Sequence, residues 1–279
     1  MSGCEDAVDI PLGEFDPVLV VDAWVNDMPE LQVITLSEAA TYFDSNQTPK
    51  VNDATVKIIR DDNQEFNFQL SEDGKYIYDP AEFGVLGEIG NLFELQIQFD
   101  GQEYCAQTEL FRVPLIDSIP LEFREDDIFF DDGIYAEFIA RDFTGIGDAY
   151  WIKTFKNGVF RNNPRELNIA YDAAFDAGSG VDGIVFISPV RDLINPVDDD
   201  FSPIPWLAGE TIKIEIHSIS QDAFQFMEIA RDQIQNGDNG IFALPLANTR
   251  SNISNCSSGD LSLGFFNVAS ISSASREIE

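Results

Sequence analysis

The stretch from Phe93 to Thr108 restricts the fold more than any other. Phe93, Leu95, Ile97 and Phe99 alternate with Glu94, Gln96 and Gln98, Asp100-Gly101 follows, and Tyr104, Ala106 and Thr108 resume the alternation. A period of two puts the apolar side chains on one face of a strand. An Asp-Gly pair between two such runs fits a type I′ turn, which needs positive φ at both central residues. The sequence therefore predicts a tight hairpin with one buried and one solvated face. Upstream, Phe66, Phe68 and Leu70 alternate with Asn67 and Gln69, and Asp73-Gly74 turns into Lys75–Tyr78. Earlier still, Val18–Val25 reads as a buried strand closed by Asn26-Asp27, Gln32–Leu36 as a second, and Thr55–Ile59 as a third stopped by Asp61-Asp62-Asn63. About seven short strands in about 100 residues predict an immunoglobulin-like or transthyretin-like sandwich.

The rest of the chain predicts a second β-rich domain with one amphipathic helix. Val113–Pro120, with a proline at either side, reads as the boundary. Strands are expected at Ile134–Ala140, Tyr150–Phe155, Val159-Phe160 after an Asn157-Gly158 turn, Gly183–Ser188, and Thr211–His217 with Ile212, Ile214 and Ile216 inward. Asp192–Pro205 is acidic and proline-rich, hence a loop. Ser220 can cap a helix that Asn236-Gly237 ends, placing it at about 220–235. Ala223, Phe226, Met227, Ala230 and Ile234 share one face of it, which reads as a packing surface. The expected division is a tether over 1–13, a β-sandwich domain over 14–113, and a β-rich domain over 114–279.

Charge excludes one class of partner. Sixteen Lys and Arg stand against 50 Asp and Glu in 279 residues, a formal net charge of −34. Nucleic-acid affinity comes from cations that neutralise phosphates, so this balance disfavours it. An acidic surface also repels anionic lipid and favours solubility. No apolar run is long enough to span a bilayer. The first residues nevertheless point to a membrane. Ser2-Gly3 directly before Cys4 resembles the end of a bacterial lipoprotein signal, with Cys4 the lipidated residue. The apolar stretch expected before it is absent, which is read as trimming of the signal. The remaining cysteines, Cys105 and Cys256, could close a disulfide loop of about 150 residues, worth about 5 kcal/mol by loop entropy, or stay as thiols.

Several segments in order carry a resemblance: Gly3-Cys4-Glu5-Asp6, Pro17-Val18-Leu19-Val20-Val21-Asp22-Ala23-Trp24, Asn52-Asp53-Ala54-Thr55-Val56-Lys57-Ile58, and Gly101-Gln102-Glu103-Tyr104. Pro114-Leu115-Ile116-Asp117-Ser118-Ile119, Ala247-Asn248-Thr249-Arg250-Ser251-Asn252-Ile253 and Leu263-Gly264-Phe265-Phe266 continue it. The set resembles a Bacteroidetes surface-lipoprotein family catalogued as domain of unknown function 4249, over nearly the whole chain. The segment Asn255–Asp260 departs from the shorter glycine-rich stretch of that pattern. The resemblance implies an exported, lipid-anchored protein with an N-terminal sandwich like a carboxypeptidase regulatory domain. Its acidic Glu5-Asp6 implies display on the outer face of the outer membrane. Family genes commonly neighbour TonB-dependent outer-membrane transporters, so the implied role is a non-enzymatic accessory or ligand-capture subunit of such a transporter. A structural or assembly subunit of an outer-membrane complex is the alternative.

Motifs for chemistry are sparse. One histidine, His217, cannot build a multi-histidine zinc site or a histidine-based triad with partners in hand. Gly145-Ile146-Gly147 lacks the third glycine of a phosphate-binding turn. Carboxylate pairs such as Asp126-Asp127 and Asp131-Asp132 would serve a hydrolase only at about 5–9 Å in a cleft. With 50 acids in the chain, adjacency in sequence does not select any pair. Two acidic segments are candidates for calcium, Asp172, Asp176 and Asp182, and Asp198, Asp199 and Asp200, although neither has the EF-hand spacing. Trp206, after Pro203-Ile204-Pro205, is the candidate ligand-stacking residue if exposed, and otherwise covers a core edge. The expectation is a protein that is not an enzyme and needs no cofactor, calcium aside.

Overall fold

The structure is a computed structural model, and it describes residues 17–39, 48–125, 130–163, 166–176, 178, 180–198, 202–237 and 249–279. The fold is mainly β, as the alternation predicts. Of the seven strands expected early in the chain, β1 is Leu19–Asn26, β2 Gln32–Glu38, β3 Thr55–Arg60, β4 Glu65–Glu72, β5 Lys75–Tyr78, β6 Leu92–Phe99 and β7 Gln102–Glu109. A short helix, α1 (Pro80–Phe83), precedes β6, its first turn capped by the Asp79 carboxylate, which accepts from the Ala81 amide at 2.9 Å.

These strands form one sheet that bends on itself. The first half of β4 pairs with β3 (Val56↔Phe68, Ile58↔Phe66), and its second half pairs with β5 (Gln69↔Ile77, Leu70↔Tyr76). The register shifts between Leu70 and Glu72, a bulge of the kind that bends a strand. Side chains from both halves, Val21, Ile34, Ile58, Tyr76, Leu95 and Ile97 among them, fill one core. The Tyr76 hydroxyl donates to the Val51 carbonyl at 3.1 Å and accepts from the Ala54 amide at 3.0 Å, which fixes the chain entering β3. The predicted hairpin is present: Asp100 and Gly101 have φ of 48° and 70°, and Phe99 faces Gln102.

The sheet has nine strands because two come from the far end of the chain. β16 (Ser254–Asn255) pairs with β7, and β17 (Leu263–Ala269) lies parallel to β1, from Val20↔Leu263 to Asn26↔Ala269. The division at residue 113/114 therefore does not describe the sheet. The reason is physical: β1 and β7 would otherwise be unpaired edges with apolar inner faces, and Phe266, Val268 and Ile253 complete the core behind them. Cys105 on β7 and Cys256 after β16 are joined by a disulfide, their Cα atoms 5.5 Å apart. A bond spanning 151 residues thus holds the C-terminal segment to the N-terminal sheet.

The second sheet is built on β12 (Ala149–Lys156). β15 (Thr211–Ile219) pairs along one whole edge of β12, while β13 (Val159–Phe160) and β14 (Asn168–Tyr171) share the other. β18 (Ile271–Glu277) pairs with the outer edge of β15. Two small ribbons lie beside it, β8 (Ile116–Ser118) with β11 (Ile139–Ala140) and β9 (Leu121–Arg124) with β10 (Gly133–Ala136). The single strand expected over Ile134–Ala140 is thus split between two ribbons. Gly183–Ser188 is irregular, with one bridge from Val185 to Arg141 and Phe186 fully buried. The helix α2 spans Gln221–Gly237 and is capped by the Ser220 hydroxyl, which accepts from the Ala223 amide at 3.0 Å. Ala223, Phe224 and Met227 are buried, whereas Ile234, expected on the same face, is 52% exposed because the helix runs past the sheet that covers its first turns.

Two tests address this architecture. Gly264 has φ of 94° and its hydrogen occupies the place where a β-carbon would overlap the Val21 carbonyl of β1. Gly264→Ala is expected to destabilise the protein by about 2–4 kcal/mol, through both backbone strain and forced separation of β1 and β17. Gly101→Ala, with a similar φ but open space around it, should cost about 1 kcal/mol; urea unfolding of the two variants makes the comparison. Cys105→Ser with Cys256→Ser should lower stability by about 2–5 kcal/mol in the same measurement.

Candidate functional site

A cluster of acidic side chains lies where the ends of β11 and β14 meet the start of β12. Asp142 follows β11, Asp148 precedes β12, Asp172 follows β14 and Asp182 sits in the loop leading to Val185. One carboxylate oxygen each of Asp142, Asp172 and Asp182 lies within 4.8 Å of the others. Of the two acids expected beside Asp172, the structure brings in Asp182 but not Asp176, whose carboxylate accepts locally from the Gly178 amide at 2.8 Å. Asp142 takes its place, a residue outside the segment singled out from sequence. The Arg141–Val185 bridge, beside which the Asp142 amide donates to the Ile184 carbonyl at 2.9 Å, brings it next to Asp182. Asp198 is exposed and accepts from the Ser202 amide at 2.8 Å, while Asp199 and Asp200 lie outside the described residues, as do Asp126 and Asp127.

Most oxygens of the cluster already have donors. Asp172 Oδ1 accepts from the Gly147 and Asp148 amides at 2.7 and 3.1 Å, and Asp182 Oδ1 from the Gly145 amide at 2.9 Å. Asp142 accepts from the Tyr150 hydroxyl at 2.7 Å and the Gly183 amide at 3.2 Å. Burial raises the Asp142 and Asp172 carboxyls above the ordinary range; these hydrogen bonds oppose the rise and the charges of neighbouring aspartates add to it. Burial and the donation to Asp142 also raise the Tyr150 phenol. Arg112 neutralises part of the charge, donating to Asp148 through Nε at 3.0 Å and Nη2 at 2.5 Å. Among the described residues, no hydrogen bond reaches Oδ2 of Asp172 or of Asp182, whereas calcium takes about six to eight oxygen ligands. The cluster as built fastens three loops to the end of the sheet.

Trp206 is not an exposed stacking platform. It is 2% exposed, its Nε1 donates to Asn195 Oδ1 at 3.0 Å, and its amide donates to the Ile134 carbonyl at 2.8 Å. The prolines before it turn the chain so that the indole plugs the edge of the second core. His217, on the outer face of β15, is buried against Trp151 and shares a 2.8 Å contact between Nε2 and Glu215 Oε2. Burial lowers its pKa to about 4, with the Glu215 hydrogen bond acting against that shift. Cys4 lies outside the described residues.

A cleft of about 690 Å³ opens beside the disulfide, at the tip of the β6–β7 hairpin. It is lined by Gln98, Gln102, Glu103 and Asn255 with Phe99 at one wall. Asn255 shapes it, donating to Gln102 Oε1 at 2.7 Å and accepting from the Ser257 and Ser258 amides. This is the segment in which the sequence departs from the shorter family pattern, and the departure is spent on a capped turn at the sheet edge.

The family described as a domain of unknown function (DUF4249) matches residues 5–275. The chain belongs to the DUF4249 family. The match covers both sheets, as it must if the family's unit contains β17 paired to β1. No curated protein matches this DUF4249 chain.

The cluster's role as a loop anchor gives a measurable outcome. Asp172 has φ of 50°, a conformation that asparagine tolerates and alanine does not. Asp172→Ala should cost about 2–3 kcal/mol by removing the acceptor for two amides. Asp172→Asn keeps an acceptor and removes one charge, so it should match or exceed the wild-type stability at pH 7. The sign follows from linkage: a carboxyl whose folded pKa is raised binds its proton more tightly in the native state, so its cost is present at neutral pH and relieved as pH falls through the folded value. The advantage of Asp172→Asn should therefore shrink on acidification, read from urea midpoints across pH.

Proposed function

We propose that this DUF4249 protein is an exported, lipid-anchored, non-enzymatic lipoprotein on the outer face of the outer membrane, where it serves a TonB-dependent transporter as an accessory or ligand-capture subunit. The observation that carries the reading is the Cys105–Cys256 disulfide. Structural disulfides persist in oxidising compartments outside the cytosol. Of three cysteines, the bond takes two and leaves Cys4, which follows Ser2-Gly3 and precedes Glu5-Asp6. The 1–13 segment, read from the sequence as a tether, stands between that cysteine and β1, which begins at Leu19. The acidic charge supports the same arrangement, because a body at −34 gains nothing from anionic headgroups and depends on its anchor for membrane residence. Multiple acyl chains on one cysteine supply such an anchor, at about 0.8 kcal/mol per buried methylene.

The test is expression of the signal-bearing protein in its own envelope, beside a Cys4→Ala variant. The expected outcome is incorporation of labelled palmitate into the wild type alone, cleavage by protease added to intact cells, and co-purification of a TonB-dependent transporter in near-equal amount. A soluble, unlabelled wild type would overturn the anchor; a labelled protein that never retains a transporter would overturn the accessory role.

A further inference from the structure

The outward face of β3, β6 and β7 carries a row of polar side chains. Thr55, Gln98 and Glu103 stand opposite one another across the three strands and are exposed, while their neighbours Val56 and Ile97 point into the first core. Among the described residues, no hydrogen bond reaches the Gln98 side chain or the Glu103 carboxylate. Cys105 lies two residues beyond Glu103 on the same face, so its disulfide with Cys256 fixes the 255–257 turn beside the row. The cleft of about 690 Å³ at the hairpin tip has this row as its floor and that turn as its wall. Its size is that of a small-ligand site, about 300–1,000 Å³. Phe99, half-buried against the first core, also lines it.

The lining decides among ligand classes. An anion is disfavoured, because the cleft holds the carboxylates of Asp53, Asp100 and Glu103 and neither Lys nor Arg. A single metal ion is disfavoured because these carboxylates do not converge. Of the three, among the described residues, Glu103 alone belongs to a group of ligand atoms within 4.8 Å of one another, and its partners there are the sulfurs of Cys105 and Cys256, spent on the disulfide. Asn255 occupies Gln102 Oε1 at 2.7 Å, so Gln102 offers its NH2 to the cleft, and Gln98 offers a second. A polyammonium ligand has donors for the carboxylates but no acceptor for these amides. A sugar hydroxyl donates to a carboxylate and accepts from an amide, and the C–H face of a sugar ring suits Phe99. The same outward face opens again four residues along β3, from Thr55 to Ile59, where Ile59, Glu94 and Gln107 are in register and line a cleft of about 430 Å³. At about 3.3 Å per residue the two openings lie roughly 13 Å apart, the length of a short chain of sugars rather than of one.

We propose that this face binds a neutral oligosaccharide, with Glu103 accepting from its hydroxyls, Gln98 and Gln102 donating to them, and Phe99 against one ring. The site gives a ligand class to the ligand-capture reading and to that extent rests on it. Binding by the purified protein needs neither the anchor nor a transporter, so the two fail separately.

Calorimetric titration of the purified protein with linear hexaoses of α- and β-linked glucose, mannose, galactose and xylose tests it, with spermidine and calcium chloride as the competing classes. At least one hexaose is expected to bind, about tenfold or more tightly than its disaccharide. Because the ligand is neutral, that affinity should be unchanged by about 0.5 M sodium chloride. Gln98→Ala and Glu103→Gln should each weaken binding of that hexaose about tenfold. Both side chains are exposed and unbonded, so both variants are expected to fold, and unfolding midpoints check this. The proposal is overturned if no hexaose binds at millimolar concentration, whether or not spermidine or calcium does. It is equally overturned if salt removes the binding, if the disaccharide binds as tightly, or if a folded variant with both substitutions keeps wild-type affinity.

Discussion

The two sheets depend on one crossing of the chain. β17 ends at Ala269 in the first sheet and β18 begins at Ile271 in the second, with Ser270 alone between them. Both sheets hold this crossing. The Ser270 amide donates to the Ser218 hydroxyl at 2.9 Å, and the Ser218 amide donates to the Ser270 carbonyl at 3.0 Å. On the other side, Asp27 accepts from the Ile271 amide at 3.2 Å and donates its own amide to the Ala269 carbonyl at 3.0 Å. A strand that pairs with β1 and continues directly into a partner for β15 cannot be stretched, so the sheets are fixed in relation to each other by backbone geometry.

What lies at that junction follows from the fixed relation. Trp24 stacks on Phe265 at 5.6 Å, meets Trp151 edge to face, and is flanked by Phe226 of the helix. Aromatic pairs of this kind add to the area they bury. The apolar part of the junction is therefore closed, and the polar part, with Asp22, Lys153, Glu215 and His217, is arranged around it. Glu215 accepts from Lys213 and contacts His217, while its cross-strand neighbour Lys153 lies over the Trp151 ring.

The disulfide and the crossing act on the same segment from opposite ends. Cys256 is anchored to β7, and the chain then runs through β17 to Ser270. Between these points the Asn252 side chain accepts from the Phe266 amide at 2.9 Å and donates to its carbonyl at 2.8 Å, so the segment is tied to itself as well as to both sheets. Loop entropy makes a bond across 151 residues worth about 5 kcal/mol, and it is spent on holding a C-terminal strand against the N-terminal sheet.

The sequence by itself determined the local structure. Alternation marked β4, β6, β7 and β15, Asp100-Gly101 and Asn157-Gly158 marked two hairpins, and Ser220 marked the start of α2, because each depends on neighbours within a few residues. It left open whether Cys105 and Cys256 bond, which the tertiary structure decided by placing their Cα atoms 5.5 Å apart. Only the tertiary structure decided that β17 belongs with β1, since a parallel pair between residues 20 and 263 leaves no short-range signal. The same applies to Asp142 beside Asp172, to Trp206 inside the second core, and to Trp24 against Trp151. Those positions are set by register and by the packing of one sheet on another, and a side chain's type carries no information about what the rest of the chain will place beside it.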